Sequence, residues 1–353
     1  MGGMGTPRTT RSSRLLKVLA DFEQVFVVAH NHPDPDAVAS GWAVSWMIRE
    51  KLGKPVRLIG GGDILRAENR HMIKLLEPPI ELVREPPEIG QAAVVLVDCA
   101  AGQQNHLLAA NDLQPTAVID HHPPHGPSPR LAFRDVRPRA AATASIAASY
   151  LREQKLPLEA KMATALLFAV RTETRGSETH YSRLDRSMLL WLTEHADPSR
   201  LAEIESAPLS PGYYGDLVLA LQSTFIYDDA ALCLLPRATA PEIVAEVADL
   251  LIRCRSIRRV LCGAVVQEDL LVSVRTSEDG PDAAELARTT LAGLGSAGGH
   301  RYRAGGKIPG AGGGQKIAED LQDQLRTRWL DACGVDRQRG TRLVPKREIV
   351  ENL

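Results

Sequence analysis

The sequence predicts an α/β protein: an N-terminal domain with a mainly parallel sheet flanked by helices, and a smaller C-terminal α/β domain across a cleft. Three observations predict it. Short β-branched runs such as Val25–Ala29 break into polar turns, as buried parallel strands do. Helical stretches separate those runs, which is the alternation of βαβ units. Histidines and aspartates recur at the carboxyl ends of three such runs, the edge where open α/β sheets bind ligands.

The elements follow in order. Residues 1–13 are basic and lack an apolar core segment, so they read as a disordered tail and not as a signal peptide. Val25–Ala29 is the first strand and Ala37–Leu52 the helix after it. Val56–Ile59 is a second strand, followed by the loop Gly60–Asp63. Ala92–Val97 and Thr116–Ile119 are the third and fourth strands. Thr143–Gln154, Leu158–Val170 and Asp185–His195 read as helices, completing a domain over residues 14–205. The turn-rich segment Ala207–Tyr214 opens a linker, residues 206–222. The second domain, residues 223–330, holds strands Ala231–Leu235, Val260–Val266 and Leu270–Arg275. Its helices are Pro241–Cys254, Ala283–Leu291 and Ile317–Ala332. The glycine-dense stretch Gly295–Gly314 suits irregular backbone wrapped around an anion. Residues 331–353 form a charged tail.

Composition excludes several function classes. Apolar residues make up 44% and charged residues 24% of the 353, the balance of a soluble globular chain. The formal net charge of −1 provides no global basic field for nucleic acid, so nucleotide binding has to be local. Aromatics at 4% argue against a stacking platform for long single strands. The five cysteines are scattered without a C-x-x-C pair, which fits a reducing, cytoplasmic setting and no disulfide framework. No apolar run is long enough to span a membrane.

The chemistry lies at the strand ends. The first strand ends in His30-Asn-His-Pro-Asp34-Pro-Asp36, the third in Asp98, and the fourth in Asp120-His121-His122. Taken singly, D-x-D is usually a solvated turn, a strand-terminal Asp a helix cap, and His-His a surface loop. Recurrence at one sheet edge changes that. Carboxylates crowded there would repel one another and raise their pKa values unless a cation were present. Imidazole nitrogen with carboxylate oxygen suits a borderline divalent ion such as Mn²⁺, Zn²⁺ or Fe²⁺. Two such cations would clamp a phosphoryl group and generate hydroxide as the nucleophile.

The segment from His30 to Ser40, H-x-x-P-D-x-D-A-x-x-S, resembles the first motif of the DHH phosphoesterase superfamily, which includes RecJ-like exonucleases. Asp98 and Asp120-His121-His122 resemble its second and third. Gly298-Gly299-His300 with Ala304-Gly305-Gly306 is similar to the glycine-histidine loop of the associated DHHA1 domain, with one extra residue after His300. The nearest likeness is to the group that acts as nanoRNase (oligoribonuclease) and 3′-phosphoadenosine 5′-phosphate phosphatase. The resemblance implies a first metal held by His30, Asp34 and Asp98, and a second by Asp36, Asp98 and His121. Asp120 would sit behind, orienting a histidine, and His122 would face the substrate phosphate. Glu173 stands where relatives have an Asp, one methylene longer, to ligate directly or through water. Arg275-Thr276 stands where relatives have Arg-Ser, and an Arg there can fork onto a phosphate. Gly298, Gly299 and His300 would hold the far end of the substrate. The implied cofactors are two divalent cations, Mn²⁺ with Mg²⁺, Co²⁺, Fe²⁺ and Zn²⁺ as alternatives. The implied activity is hydrolysis of short oligoribonucleotides, linear dinucleotides or 3′-phosphoadenosine 5′-phosphate. Relatives often dimerise, so a homodimer is admitted, with no membrane partner. Two alternatives remain open here: cyclic-di-AMP hydrolysis, and a non-catalytic nucleotide-binding homologue, supported by Glu173 in place of Asp.

Overall fold

A computed structural model describes residues 9–102, 105–109, 113–123, 130–174, 181–299, 301–312 and 317–344. The chain divides into two compact units, residues 1–207 and 208–353.

The first unit is built on six strands: β1 Val25–Val28, β2 Val56–Gly61, β3 Ile80–Val83, β4 Ala93–Val97, β5 Ala117–Asp120 and β6 Phe133–Val136. Their order is β3-β2-β1-β4-β5-β6, and every neighbouring pair is parallel. The helices are α1 Arg11–Leu19, α2 Pro35–Leu52, α3 Ala67–Leu76, α4 Thr143–Glu153, α5 Ala160–Glu173, α6 Arg183–Thr193 and α7 Pro198–Glu205. Alternate residues of β1 enter different apolar layers. Val25 and Val27 join the core that contains Met47, Ile146 and Phe168; Phe26 and Val28 pack with Ile59, Leu96 and Val118. Both faces are covered, which is why the central strands read as unbroken apolar runs. The edge strands β3 and β6 escape a reading by hydropathy. β3 is exposed at its two middle residues and buried at none, and β6 interleaves Arg134 and Asp135 with its apolar residues. α1 begins inside the stretch read as a tail, because Thr10 caps it by accepting from the Ser13 amide.

α2 starts where the chain leaves β1. Asp34 caps it by accepting from the amides of Asp36 and Ala37, Pro35 takes the first helical position, and Gly53 closes it at φ 64°. The strand order reverses direction between β1 and β4. That makes the crevice beyond their carboxyl ends the topological switch point, where ligands bind in doubly wound sheets.

The second unit has seven strands: β7 Thr224–Tyr227, β8 Ala230–Leu235, β9 Arg259–Val266, β10 Asp269–Thr276, β11 Ser296–Gly299, β12 Arg303–Ile308 and β13 Thr341–Arg342. Their order is β11-β12-β10-β9-β8-β7-β13, with β8 and β9 parallel and the other neighbours antiparallel. α8 Pro211–Ser223 and α9 Glu242–Leu251 pack on one face of the sheet, and α10 Ala283–Leu291 and α11 Glu319–Cys333 on the other. No helix among the described residues is long and apolar enough to cross a membrane.

Three expectations need correction here. The stretch expected as a linker holds α8, because Ser210 caps it and Pro211 begins it; a Ser-Pro-Gly turn signal was also a helix start. The glycine-dense stretch expected as loop forms β11 and β12. Its glycines permit close strand and helix contact: a Cβ on Gly306 would lie 2.2 Å from Leu291 Cδ1. The charged tail contributes β13, which pairs with β7.

One buried polar cluster ties α1, β6 and α4 together. Asp135 is fully buried and accepts from Arg11 Nη1 (2.5 Å), Arg137 Nη2 (2.7 Å) and Tyr150 Oη (2.5 Å). Asp135→Ala strands these donors, so urea unfolding is expected to show a loss of about 2–4 kcal/mol. An unchanged midpoint would mean the cluster contributes nothing net.

Candidate metal centre

The switch point gathers the side chains that the sequence placed at strand ends. His30 follows β1, Asp98 follows β4, and His121 and His122 follow β5. Asp34 and Asp36 open α2. Asp98 is a non-glycine residue at φ 57°, in the left-handed region that Asp tolerates better than most side chains. Its amide donates to the Ile119 carbonyl at 3.0 Å, so the turn is tied to β5.

Asp98 presents one oxygen to each side. Oδ2 is 3.7 Å from His30 Nε2, which is 3.8 Å from Asp34 Oδ1. Oδ1 is 3.5 Å from His121 Nε2, which is 3.8 Å from Asp36 Oδ2. The ligand atoms of His30, Asp34 and Asp98 lie within 4.8 Å of one another, as do those of Asp98, His121 and His122. Two donors about 2.1 Å from one cation stand roughly 3–4 Å apart, so these separations fit a shared ion.

Hydrogen bonds behind the cluster set which nitrogen faces it. His30 Nδ1 lies 2.8 Å from the Asn31 carbonyl and His121 Nδ1 3.3 Å from that of Ala140. A carbonyl only accepts, so each Nδ1 carries a proton and the neutral ring offers the Nε2 lone pair inward. His122 differs. Its Nδ1 is 2.7 Å from Asp120 Oδ1, which also accepts from the His122 amide. Asp36 accepts from the amides of Thr143 (2.7 Å) and Ala144 (2.6 Å) at the start of α4, and Thr143 Oγ1 donates to Asp98 Oδ1 at 2.8 Å. Thr143 thus holds both carboxylates in place, yet in sequence it reads as an ordinary helix-start residue. His106, in sequence a surface or core residue, lies close by. It is buried, and its backbone bridges to His30 while the Asn31 amide donates to Asn105.

The electrostatics register the crowding. Burial, then the Asp34 charge, pushes Asp36 up to about 7. Burial and the charges of Asp36, Asp34 and Asp120 hold Asp98 well above the usual carboxylate range. Burial works against protonated His30, but the bond to Asp34 and its charge outweigh it and lift the imidazole to about 9. Burial and the neighbouring His122 lower His121 to about 4. Burial also opposes charge on His122 and Asp120; their mutual bond prevails, raising one and lowering the other. Buried carboxylates that resist ionisation, beside ring nitrogens that a cation could hold in place of protons, are a donor set that a borderline divalent cation would relieve.

The two ligand groups found among the described residues do not include the remaining predicted residues. Glu173 is the last residue of α5. Arg275 is buried within the second unit. Its Nε donates to Asp249 at 2.5 Å and its Nη1 to Ser273 Oγ at 2.7 Å. Thr276 Oγ1 donates to the Arg301 carbonyl. Gly298 and Gly299 lie on β11, and Gly299 adopts φ 148°, where a Cβ would lie 2.4 Å from Ala304 Cα. His300 lies outside the described residues.

A doubly wound parallel sheet with histidines and aspartates converging at its switch point defines an α/β protein with a candidate divalent-cation centre. Residues 24–170 match the DHH family, N-terminal domain. Over 318 residues the chain is 25% identical to an uncharacterized protein of Methanocaldococcus jannaschii, covering 88% of this chain and 64% of that one. The chain therefore spans under two thirds of the length of the curated relative it matches. An exopolyphosphatase-related protein from Bacteroides fragilis superposes with a TM-score of 0.71 at 15% identity, covering 91% of this chain and 96% of that one. RecJ from Thermus thermophilus in complex with Mn²⁺ superposes at 0.51 and 16% identity, covering 92% and 54%. At these identities the likeness is one of fold.

The pKa shifts give a signed prediction for the metal-free protein. His30, His122, Asp36 and Asp98 all have raised pKa values in the folded chain, so above pH 6.5 the folded state binds more protons than the unfolded state. Stability is then lost as pH rises through about 9. Asp34 and Asp120, which are shifted down, have finished titrating below that window, and His121, lowered from 6.5 to about 4, opposes the fall only near its lower edge. Thermal unfolding in EDTA is expected to show a midpoint falling by roughly 5 °C between pH 6.5 and 9. Saturating Mn²⁺ is expected to remove the fall. A midpoint flat in EDTA would contradict the crowding.

Proposed function

We propose that the chain is a divalent-cation-dependent phosphoesterase acting on short nucleotides: oligoribonucleotides of a few residues, linear dinucleotides and 3′-phosphoadenosine 5′-phosphate. One observation carries the reading: Asp98 turns its two oxygens toward two different histidines, each accompanied by a second carboxylate. The proposed first ligand set is His30, Asp34 and Asp98, and the second is Asp36, Asp98 and His121. Manganese is supported by the RecJ structure in complex with Mn²⁺. The net charge of −1 favours short substrates, since long strands are held by many Lys and Arg contacts to phosphate.

When bound, the two cations would supply Lewis-acid activation of the phosphoester and of the attacking water. The chain's own residues do the rest. Thr143 and the amides at the start of α4 keep Asp36 and Asp98 from rotating away. Asp120 holds a proton on His122 Nδ1 and favours the imidazolium, which donates from Nε2 to a phosphoryl oxygen of the substrate. In the second unit, the glycine backbone at Gly298 and Gly299, with His300, is assigned to substrate phosphate in preference to Arg275, which is engaged with Asp249.

The test is a panel of a 5′-phosphorylated dinucleotide, 3′-phosphoadenosine 5′-phosphate, cyclic-di-AMP and a long RNA, assayed with Mn²⁺ and with EDTA. The first two are expected to turn over with Mn²⁺ only, and the other two far more slowly. Asp98→Ala is expected to lose bound metal and roughly a thousandfold in turnover while remaining folded. No turnover of any panel member in the metal-loaded protein would defeat the proposal.

A further inference from the structure

A second concave site lies in the second unit, a cavity of about 420 Å³ between β7, β8 and α11. Its floor is apolar: Phe225 and Leu232 face each other across the strand pair, with Tyr227 and Leu234 beside them. Its walls carry three arginines, Arg326 from α11, and Arg337 and Arg342 from the segment ending in β13, against one carboxylate, Asp323.

The guanidinium groups are held in position. Arg342 Cζ lies 4.6 Å from the centre of the Phe225 ring, and Arg326 Cζ 5.6 Å from that of Tyr227. Arg342 Nη1 donates to the Gln222 carbonyl at 2.6 Å, and Arg326 Nη2 to the Arg337 carbonyl at 3.1 Å. These contacts fix each plane while engaging a minority of its five donors. Arg337 pairs with Asp331; Arg326 and Arg342 make no ion pair among the described residues. Two such forks over an apolar floor are suited to a phosphate joined to a flat apolar body, because guanidinium binds phosphate oxygens two at a time. The volume falls in the range of small-molecule sites.

The cavity is not the glycine strand assigned to substrate. Gly298 and Gly299 lie on β11 at one edge of the sheet, and β7 is five strands away, about 24 Å at the ordinary interstrand spacing.

We propose that this cavity binds a small aromatic phosphate, of which a nucleoside monophosphate is the type, with the phosphate between Arg326 and Arg342. The test is calorimetric titration of the full chain with adenosine monophosphate in EDTA, with adenosine and inorganic phosphate as comparison ligands. Saturable binding is expected, weaker by roughly tenfold or more in Arg326→Gln and in Arg342→Gln, as lost charge-assisted bonds imply. Arg326 is exposed on α11, so its variant keeps the fold even if loss of Arg342 frees β13. Asp98→Ala is expected to bind as the wild type does, and adenosine and phosphate alone far more weakly than the nucleotide. The proposal is overturned by an absence of binding or by affinity unchanged in both arginine variants. Loss of binding in Asp98→Ala, or phosphate binding as tightly as the nucleotide, also overturns it.

Discussion

Crowded carboxylates repel one another, and this protein gathers Asp34, Asp36, Asp98 and Asp120 at one sheet edge, the last three of them buried. Asp98 is at the centre of that conflict. Burial and three neighbouring charges oppose its ionisation, and its backbone is held in a left-handed turn by the bond to Ile119. Such an arrangement is costly in an empty protein and favourable around a cation, because a divalent ion converts mutual repulsion into shared attraction. The histidine orientations, the capping of α4 by Asp36 and the hydroxyl of Thr143 all serve to keep that geometry.

The strand order explains why these residues meet. β1 and β4 are neighbours although two strands and two helices intervene in sequence, and the crossover directions part between them. The crevice left beyond their ends is open to ligands, and His30, Asp98 and His121 are delivered to it by three adjacent strands. Asp34 belongs to both fold and site: it caps α2 through one oxygen while standing 3.8 Å from His30. Site and helix start are therefore coupled, and altering the charge at Asp34 disturbs both.

Much of this was legible in sequence because buried parallel strands announce themselves as apolar runs, and the residue after each run lands at the ligand-binding edge. His30, Asp98 and the Asp120-His121-His122 triplet are read that way. Thr143 was not, since its role depends on α4 pointing its first turn at Asp36 and Asp98, a tertiary fact with no local signature. β3 and β6 were missed because edge strands lack a fully buried face. β11 and β12 were read as loop because glycine weakens a strand locally; close packing against Leu291 requires it there regardless. Arg275 was given as a phosphate ligand by its likeness to an Arg-Ser pair of relatives; its hydrogen bonds to Asp249 and Ser273 are contacts no linear pattern reveals.

The central claim is that Asp98 is shared by two cations. Diffraction at the manganese absorption edge from crystals grown with Mn²⁺ tests it directly. The account predicts two anomalous peaks roughly 3.5–4 Å apart, one bonded to each Asp98 oxygen. A single peak, or peaks that leave Asp98 unligated, would contradict it.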